Sequence, residues 1–280
     1  MILFDANKCV SCNSCIRACP TPEANKAVQT EDGRTVYNID PDKCIRCGAC
    51  VKDCSHGART YEDDTAGFWN DVKGGKQVVL LVAPSIKVAF DGCWRNVLEF
   101  LRSNGVKDIY DVSFGADICT WAHIRYLQKN PGKKLISQPC PAIVNYMLKY
   151  CKEALPNLSP VQSPILCAAI YLRKYLGVNA KLAALTPCIA KQDEFRMTGV
   201  VDYNVTFQHL GQLLEDGFGD FDLLTQSALQ IFQRDMARAE QGGLFAYHRD
   251  HGALHTHIAL AAIQDQGQTA IHIGEHILCV

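Results

Sequence analysis

One cysteine pattern in this chain is written twice. Cys9, Cys12, Cys15 and Cys19 follow the spacing C-x2-C-x2-C-x3-C, and Cys44, Cys47, Cys50 and Cys54 repeat it with every position displaced by 35 (Cys9 to Cys44). The repeat reaches upstream, where Asp5 and Lys8 recur as Asp40 and Lys43. Eight of the 15 cysteines are therefore committed to one short, duplicated arrangement.

Three thiolates at i, i+3 and i+6 wrap one face of an iron–sulfur cubane, and in two-cluster proteins the fourth leaves along a helix to the other cluster. The expected sets are Cys9, Cys12, Cys15 and Cys54 for one [4Fe-4S] cluster, and Cys44, Cys47, Cys50 and Cys19 for the second. The first half ends Cys19-Pro20, as this pattern usually does, and the second ends Cys54-Ser55. Paired zinc sites are the alternative, but zinc rarely takes four such closely spaced cysteines twice. The first-order expectation is an electron carrier.

Composition narrows the rest. The 280 residues leave room for about two domains, and a hydrophobic fraction of 48% is enough for a packed core. A formal charge of −1 gives no electrostatic case for nucleic acid or membrane binding. The N-terminus MILFDANKCV shows no basic region followed by an apolar run. The longest apolar stretch, about 78–83, is far short of the roughly 20 residues that span a bilayer. The expected location is the cytoplasm. Cysteine spacings of this kind suit metal better than disulfides.

Residues 1–64 read as a small α+β, ferredoxin-like dicluster domain that depends on its clusters for stability. Asp63–Gly67 and Lys73–Lys76 are expected to bracket a linker. From Gln77 the texture becomes α/β. Strands are expected over 77–83, 107–112, 133–137 and 181–185, with a short one ending at Val205. Helices are expected over 91–104, 116–129, 141–153, 163–175 and 208–216, with a helical turn from Ile189. Alternation of this kind implies mainly parallel strands with helices on both faces, here over 76–216. Residues 217–280 form a tail with one plausible helix, 223–241.

Cys140 and Cys188 stand out. Each sits in a Pro-Cys-x-Ala frame expected at the junction of a strand and a helix, the edge where open α/β sheets place ligands. Helix N-termini favour thiolates and anionic clusters. Two buried packing cysteines would be the plainer reading, but a pair in equivalent positions beside a dicluster domain favours a metal site.

These residues resemble the [FeFe]-hydrogenases. Ser137-Gln138-Pro139-Cys140-Pro141 is similar to the family's T-S-C-C-P motif. Thr186-Pro187-Cys188-Ile189-Ala190-Lys191-Gln192-Asp193-Glu194 is similar to M-P-C-x-x-K-x-x-E. Val82-Ala83-Pro84-Ser85 and Phe114-Gly115-Ala116-Asp117 match flanking segments. The resemblance runs from residue 1 to about 215. It implies that Cys140 and Cys188 bind the cubane half of an H-cluster, and that Lys191 holds a cyanide of the diiron half by a charge-assisted hydrogen bond. It also implies that Ala83, Pro84 and Pro187 line that cofactor. Read alone, Lys191 is a solvated helix residue.

Departures accompany the likeness. Pro139 stands where the family has a proton-relaying cysteine, as in a sensory branch of the family. Trp121-Ala122-His123 stands near its relay glutamate. His123 is a substitute relay or an ordinary helix histidine. The third motif, C-x3-C, is missing; after Cys188 the one further cysteine is Cys279, a remnant ligand or none. The tail therefore reads as diverged or truncated. Its histidines, His248, His251, His255, His257, His272 and His276, suggest zinc or nickel binding or a polar tail, the latter preferred. Cys93, Cys119, Cys151 and Cys167 read as packing residues inside helices, and Gly74-Gly75-Lys76 as linker.

Two functions follow. One is an oxidoreductase of anaerobic metabolism or an H2 sensor, passing electrons between a ferredoxin or other redox protein and an H-cluster that handles H2 and protons. The other is a non-catalytic dicluster carrier with a vestigial or docking hydrogenase-like domain, of which a role in iron–sulfur assembly is a variant.

Overall fold

The computed structural model describes residues 1–218. The helix expected over 223–241, the six tail histidines and Cys279 lie outside the described residues. No helix of the described residues is long and apolar enough to cross a membrane.

The N-terminal part is built from short pieces. They are β1 (Ile2–Phe4), α1 (Ser14–Arg17), β2 (Asn25–Gln29), β3 (Thr35–Ile39), α2 (Ala49–Lys52) and β4 (Arg59–Tyr61). The strands pair antiparallel in two ribbons, β1 with β4 and β2 with β3. Each half of this duplicated segment thus contributes one strand to each ribbon.

The rest of the fold comprises α3 (Thr65–Lys73), β5 (Val78–Val82), α4 (Ile86–Ala89), α5 (Trp94–Ser103), β6 (Val106–Asp111), α6 (Ser113–Lys129), α7 (Pro141–Tyr150), α8 (Pro164–Lys174), β7 (Lys181–Thr186), α9 (Lys191–Thr198), β8 (Tyr203–Thr206) and α10 (Phe207–Phe218). The four strands form one parallel sheet in the order β6-β5-β7-β8. Every residue of β5 is buried, as expected of a strand covered on both faces. Its side chains divide with period 2. Val78, Leu80 and Val82 face α3, α5 and α10, through Phe68, Val97, Leu101, Leu210 and Leu214. Val79 and Leu81 face α8 and α9, through Leu166, Ala169, Leu172 and Phe195. Helix α6 packs on α8 so closely that a Cβ on Gly115 would stand 2.2 Å from the Pro164 carbonyl oxygen and 2.8 Å from Ala168 Cβ.

Three expectations fail. The stretch between Asp63 and Lys76 is no linker: it holds α3, whose Phe68 and Val72 are buried in the sheet's core. Residues 133–137 form no strand. They make one parallel bridge, Ile136 to Leu158, and lie off the sheet. Lys133, Lys134, Ile136 and Ser137 are exposed, so this segment lacks the two-sided burial that a central strand needs. Cys140 therefore follows a loop, not a strand. Helix α7 also stops at Tyr150, and a 3-10 turn, Lys152–Asn157, carries the chain onward.

From β5 the chain passes to β6 on one side, and from β7 it passes to β8 on the other. The carboxyl ends of β5 and β7 thus flank a topological switch point, where doubly wound sheets place ligands. The N–H of Ala83 donates to the Leu185 carbonyl (3.0 Å), which joins the two strand ends there.

Candidate metal centres

The duplicated sequence is a duplicated backbone. The N–H groups of Ile16 and Arg17 donate to the Asn13 carbonyl (3.1 Å each), and those of Val51 and Lys52 to the Gly48 carbonyl (3.0 and 3.1 Å). Ser11 (φ 58°) matches Arg46 (φ 59°), and Asn13 (φ 63°) matches Gly48 (φ 81°). Ser11, Asn13 and Arg46 are the non-glycine residues with positive φ among the described residues, and all three lie between motif cysteines. Such conformations cost about 1–3 kcal/mol each and gather at functional sites. Alternating left- and right-handed residues turn successive N–H groups inward, a nest that suits anionic clusters. The Arg46 N–H donates to Cys44 Sγ at 3.3 Å.

The eight cysteines fall into two groups. Cys9, Cys12, Cys15 and Cys54 line one open cavity, together with Phe4, Tyr37, His56 and Arg59. Cys19, Cys44 and Cys47 gather about Cys50, where burial first and then the neighbouring thiols push the Cys50 thiol up to about 12, against the pull of Arg59. The exchange of Cys19 and Cys54 follows the strand exchange: α1 and α2 each carry the chain out of one motif into the ribbon shared with the other. The sulfurs of the first group ring a space instead of converging. Among the described residues, no three His, Cys, Asp or Glu side chains could hold a single metal ion. A buried donor, Arg59 Nη1, has no partner beside this cavity. Four thiols round a cavity with an unmatched cationic donor on its wall fit an anionic cluster.

The second motif docks on the sheet domain. Arg46 pairs with Asp193 of α9, and Asn145 of α7 donates to that carboxylate (3.0 Å) and to the Ile45 carbonyl (3.3 Å). Lys149 Nζ reaches the carbonyls of Pro41 (3.1 Å) and Cys44 (3.0 Å), and Tyr150 Oη that of Lys43 (2.8 Å). Gly48, between Cys47 and Cys50, faces Ile189, the residue after Cys188, so closely that a Cβ on it would stand 3.3 Å from Ile189 Cδ1.

Cys188 sits just beyond β7 at the switch point, with exposed Pro187 before it, and Ala83 and exposed Pro84 at the end of neighbouring β5. Its N–H is held by Thr186 Oγ1 (3.1 Å), and its carbonyl accepts from Asn204 Nδ2 (3.0 Å). Cys140 is the exposed residue capping α7, and its charge bears on Cys188. Burial raises the Cys188 thiol, Cys140 adds to this, and the N–H groups of Ala190 and Lys191 and the Lys191 ammonium oppose it. Lys191 is 8% exposed, not the solvated helix residue that sequence alone suggests. Its Nζ donates to Glu194 Oε2 (2.6 Å) and the Pro139 carbonyl (3.2 Å), tying the Cys140 loop to α9. The structure thus brings Cys140, Cys188 and Lys191 together although residues 133–137 are no strand. A cubane takes four thiolates; this crevice shows two among the described residues, so it fits such a group only in part.

One cluster escaped sequence reasoning. Cys119 and Cys167 both direct their thiols to the Gln162 carbonyl (3.3 and 3.4 Å), side by side across the α6–α8 contact. His123 Nδ1 lies 3.6 Å from Cys119 Sγ, and His123 Nε2 2.8 Å from Ser159 Oγ. The Cys167 thiol and then His123 stabilise the Cys119 thiolate against its burial, so Cys119 ionises before Cys167. The Lys191 charge reaches both. Cys119 and His123 share one face of α6, but Cys167 and Ser159 reach them only through helix packing. Cys93 and Cys151 are half-buried caps of α5 and α7, not interior helix residues.

Comparison with known proteins agrees with this division. Residues 1–55 match the family described as 4Fe-4S dicluster domain, which implies two [4Fe-4S] clusters. Residues 76–271 match the family described as Iron only hydrogenase large subunit, C-terminal domain, so the match continues past residue 215, where the motif-based resemblance stops. A solved structure from work on oxygen inactivation of an [FeFe]-hydrogenase through degradation of the H cluster 2Fe subcluster is 21% identical, with a TM-score of 0.43 over 50% of this chain and 43% of that one. The chain thus spans less than half the length of that relative. No curated protein matches. The chain belongs to the iron only hydrogenase large-subunit family, and carries a 4Fe-4S dicluster domain at its N-terminal end.

Proposed function

We propose that this protein moves electrons through two [4Fe-4S] clusters to and from a redox centre at the crevice of Cys140, Cys188 and Lys191. Cys9, Cys12, Cys15 and Cys54 hold the outer cluster; Cys44, Cys47, Cys50 and Cys19 hold the inner one. The close approach of Gly48 to Ile189 carries this reading, because it sets the inner cluster's loop beside the residue next to Cys188. The exposed Cys12 suits exchange with a ferredoxin or another redox protein at the outer cluster. An H-cluster, when bound, supplies hydrogen activation, and the finer reading is H2 oxidation, proton reduction or H2 sensing. The residues' own part is to supply thiolates (Cys140, Cys188) and to fix the crevice walls (Lys191 through Pro139 and Glu194). Ala83, Pro84 and Pro187, at the strand ends beside it, add no ionising group to the crevice.

A second reading has its own observation. The crevice shows two thiolates among the described residues, and Pro139 has no exchangeable proton. On that reading the chain carries electrons alone, and the sheet domain is a docking module. Anaerobic reconstitution followed by maturation separates the two. Both expect about eight irons in the dicluster domain with broad visible absorption. Infrared CO and CN stretches support the hydrogen reading; their absence at about eight irons leaves the carrier. Colourless zinc-loaded protein overturns both.

A further inference from the structure

Arg59 is the least expected residue at the outer cluster site. It belongs to β4 and is 3% exposed. Register places it opposite Phe4 of β1, and its guanidinium lies over the Phe4 ring, 4.9 Å from the centroid. Nη2 donates to the Tyr37 carbonyl, to Asn25 Oδ1 (3.2 Å) and to Cys15 Sγ (3.7 Å). Nη1 is buried without a partner. The same guanidinium acts on Cys50 of the inner group. Among the described residues, no carboxylate forms an ion pair with it, in contrast to Arg34, which pairs with Asp32. Arg17 and Arg34 also approach the motif, through the carbonyls of Cys12 and Cys9, but they are exposed and solvent screens them.

A buried guanidinium stays charged, and an uncompensated buried charge costs several kcal/mol. The fold offers it two neutral oxygens and an aromatic face, which leave one donor and a full positive charge unmatched. The matching anion has to come from the cavity that Arg59 lines. A cubane with four thiolates carries net negative charge, and one unit more after reduction.

We propose that Arg59 is a cofactor-binding residue of the outer cluster: its Nη1–H completes a charge-assisted hydrogen bond to a cluster or cysteinyl sulfur, and its charge favours the reduced state. Reduction adds one electron to a cluster already facing a fixed cation, so no proton need follow it.

This inference rests on the cluster reading above, and iron content of the parent protein tests that reading separately: a parent without about eight irons removes the clusters themselves. Given a loaded parent, the full chain is compared with Arg59→Gln and Arg59→Lys by iron analysis and by redox titration followed by electron paramagnetic resonance. Arg59→Gln is expected to lower the reduction equilibrium of one cluster at least tenfold, about 59 mV for one electron, or to load less iron than the parent. Arg59→Lys, which keeps the charge, is expected to load fully and to stay within about threefold of the parent, roughly 28 mV by the same constant. Full loading with unchanged potentials in Arg59→Gln overturns the proposal. So does an Arg59→Lys protein as defective as Arg59→Gln, because shape and not charge would then be the requirement.

Discussion

Gly48 lies against Ile189: a Cβ built on Gly48 would stand 3.3 Å from Ile189 Cδ1. The loop of the inner cluster and the Cys188 turn therefore meet with no side chain between them on the glycine's side. Gly48 also has φ 81°, which a non-glycine residue adopts at a cost. Gly48→Ala should destabilise the protein by about 1–3 kcal/mol from backbone strain and crowding together. Gly33→Ala is the control, since Gly33 has φ 79° with open space around it and should cost about 1 kcal/mol, the lower end of that strain range. Denaturant titration of both variants, with iron bound, measures the difference. Equal losses would mean that the Ile189 contact contributes nothing.

The α6–α8 contact makes a sharper demand. At Gly115 the added methyl group would meet backbone, the Pro164 carbonyl at 2.2 Å, which cannot rotate aside. Gly115→Ala should cost at least the upper end of the roughly 1–3 kcal/mol typical of overpacking. It should also separate Cys119 from Cys167. Thermal melting and site-resolved alkylation of these two thiols report the two effects.

Asp63 joins the dicluster part to β8 and α10. Its carboxylate accepts from the N–H groups of Thr65 (3.0 Å) and Thr206 (2.9 Å) and from Thr206 Oγ1 (2.5 Å), and pairs with His209 Nδ1 (2.9 Å). Burial pushes the carboxyl up, but the bonds from Thr206, His209 and Thr65 outweigh it and hold Asp63 below its ordinary value. Folding thus favours the charged form. The resulting stabilisation is complete above about pH 4 and is lost as pH falls through that value toward the lower folded one. Asp63→Asn should remove about 1.5–3 kcal/mol, the scale of hydrogen bonds to a charged group, at pH 7. The stability difference between parent and variant should narrow as pH falls below about 4, and denaturant midpoints across pH 3–7 check this.

Iron removal should act on one part of the chain. The dicluster region has two-stranded ribbons and four-residue helices, too little burial to stand without its clusters. The four-stranded sheet has cores on both faces. Chelation should therefore open residues 1–61 to limited proteolysis while 78–206 resists. Uniform digestion would show that the two parts fold as one unit.

Much of the fold is legible in local pattern. β5 is apolar throughout and β7 is apolar between Lys181 and Thr186 because a parallel strand is covered twice, and the cysteine repeat is visible by eye. Misreadings have local causes too. Asp63-Asp64 and Gly74-Gly75 look like linker punctuation, yet the residues between them carry Phe68 and Val72 into the core. Residues 133–137 look like a strand because Leu135 and Ile136 are apolar, but Ile136 is 37% exposed and reaches only Leu158. Cys119 and Cys167 look like isolated packing residues because their partnership is made by two helices distant in sequence.

The sequence by itself determined the eight thiols, their duplicated spacing and the Pro-Cys frames, because ligand spacing within a turn is a local property of the chain. Only the tertiary structure decided what stands beside them. It put Arg59 on the wall of the outer cavity, Gly48 on Ile189, and Lys191 between Glu194 and the Cys140 loop. Those juxtapositions depend on how ribbons and sheet close on one another, and that closure follows from burial summed over the whole core.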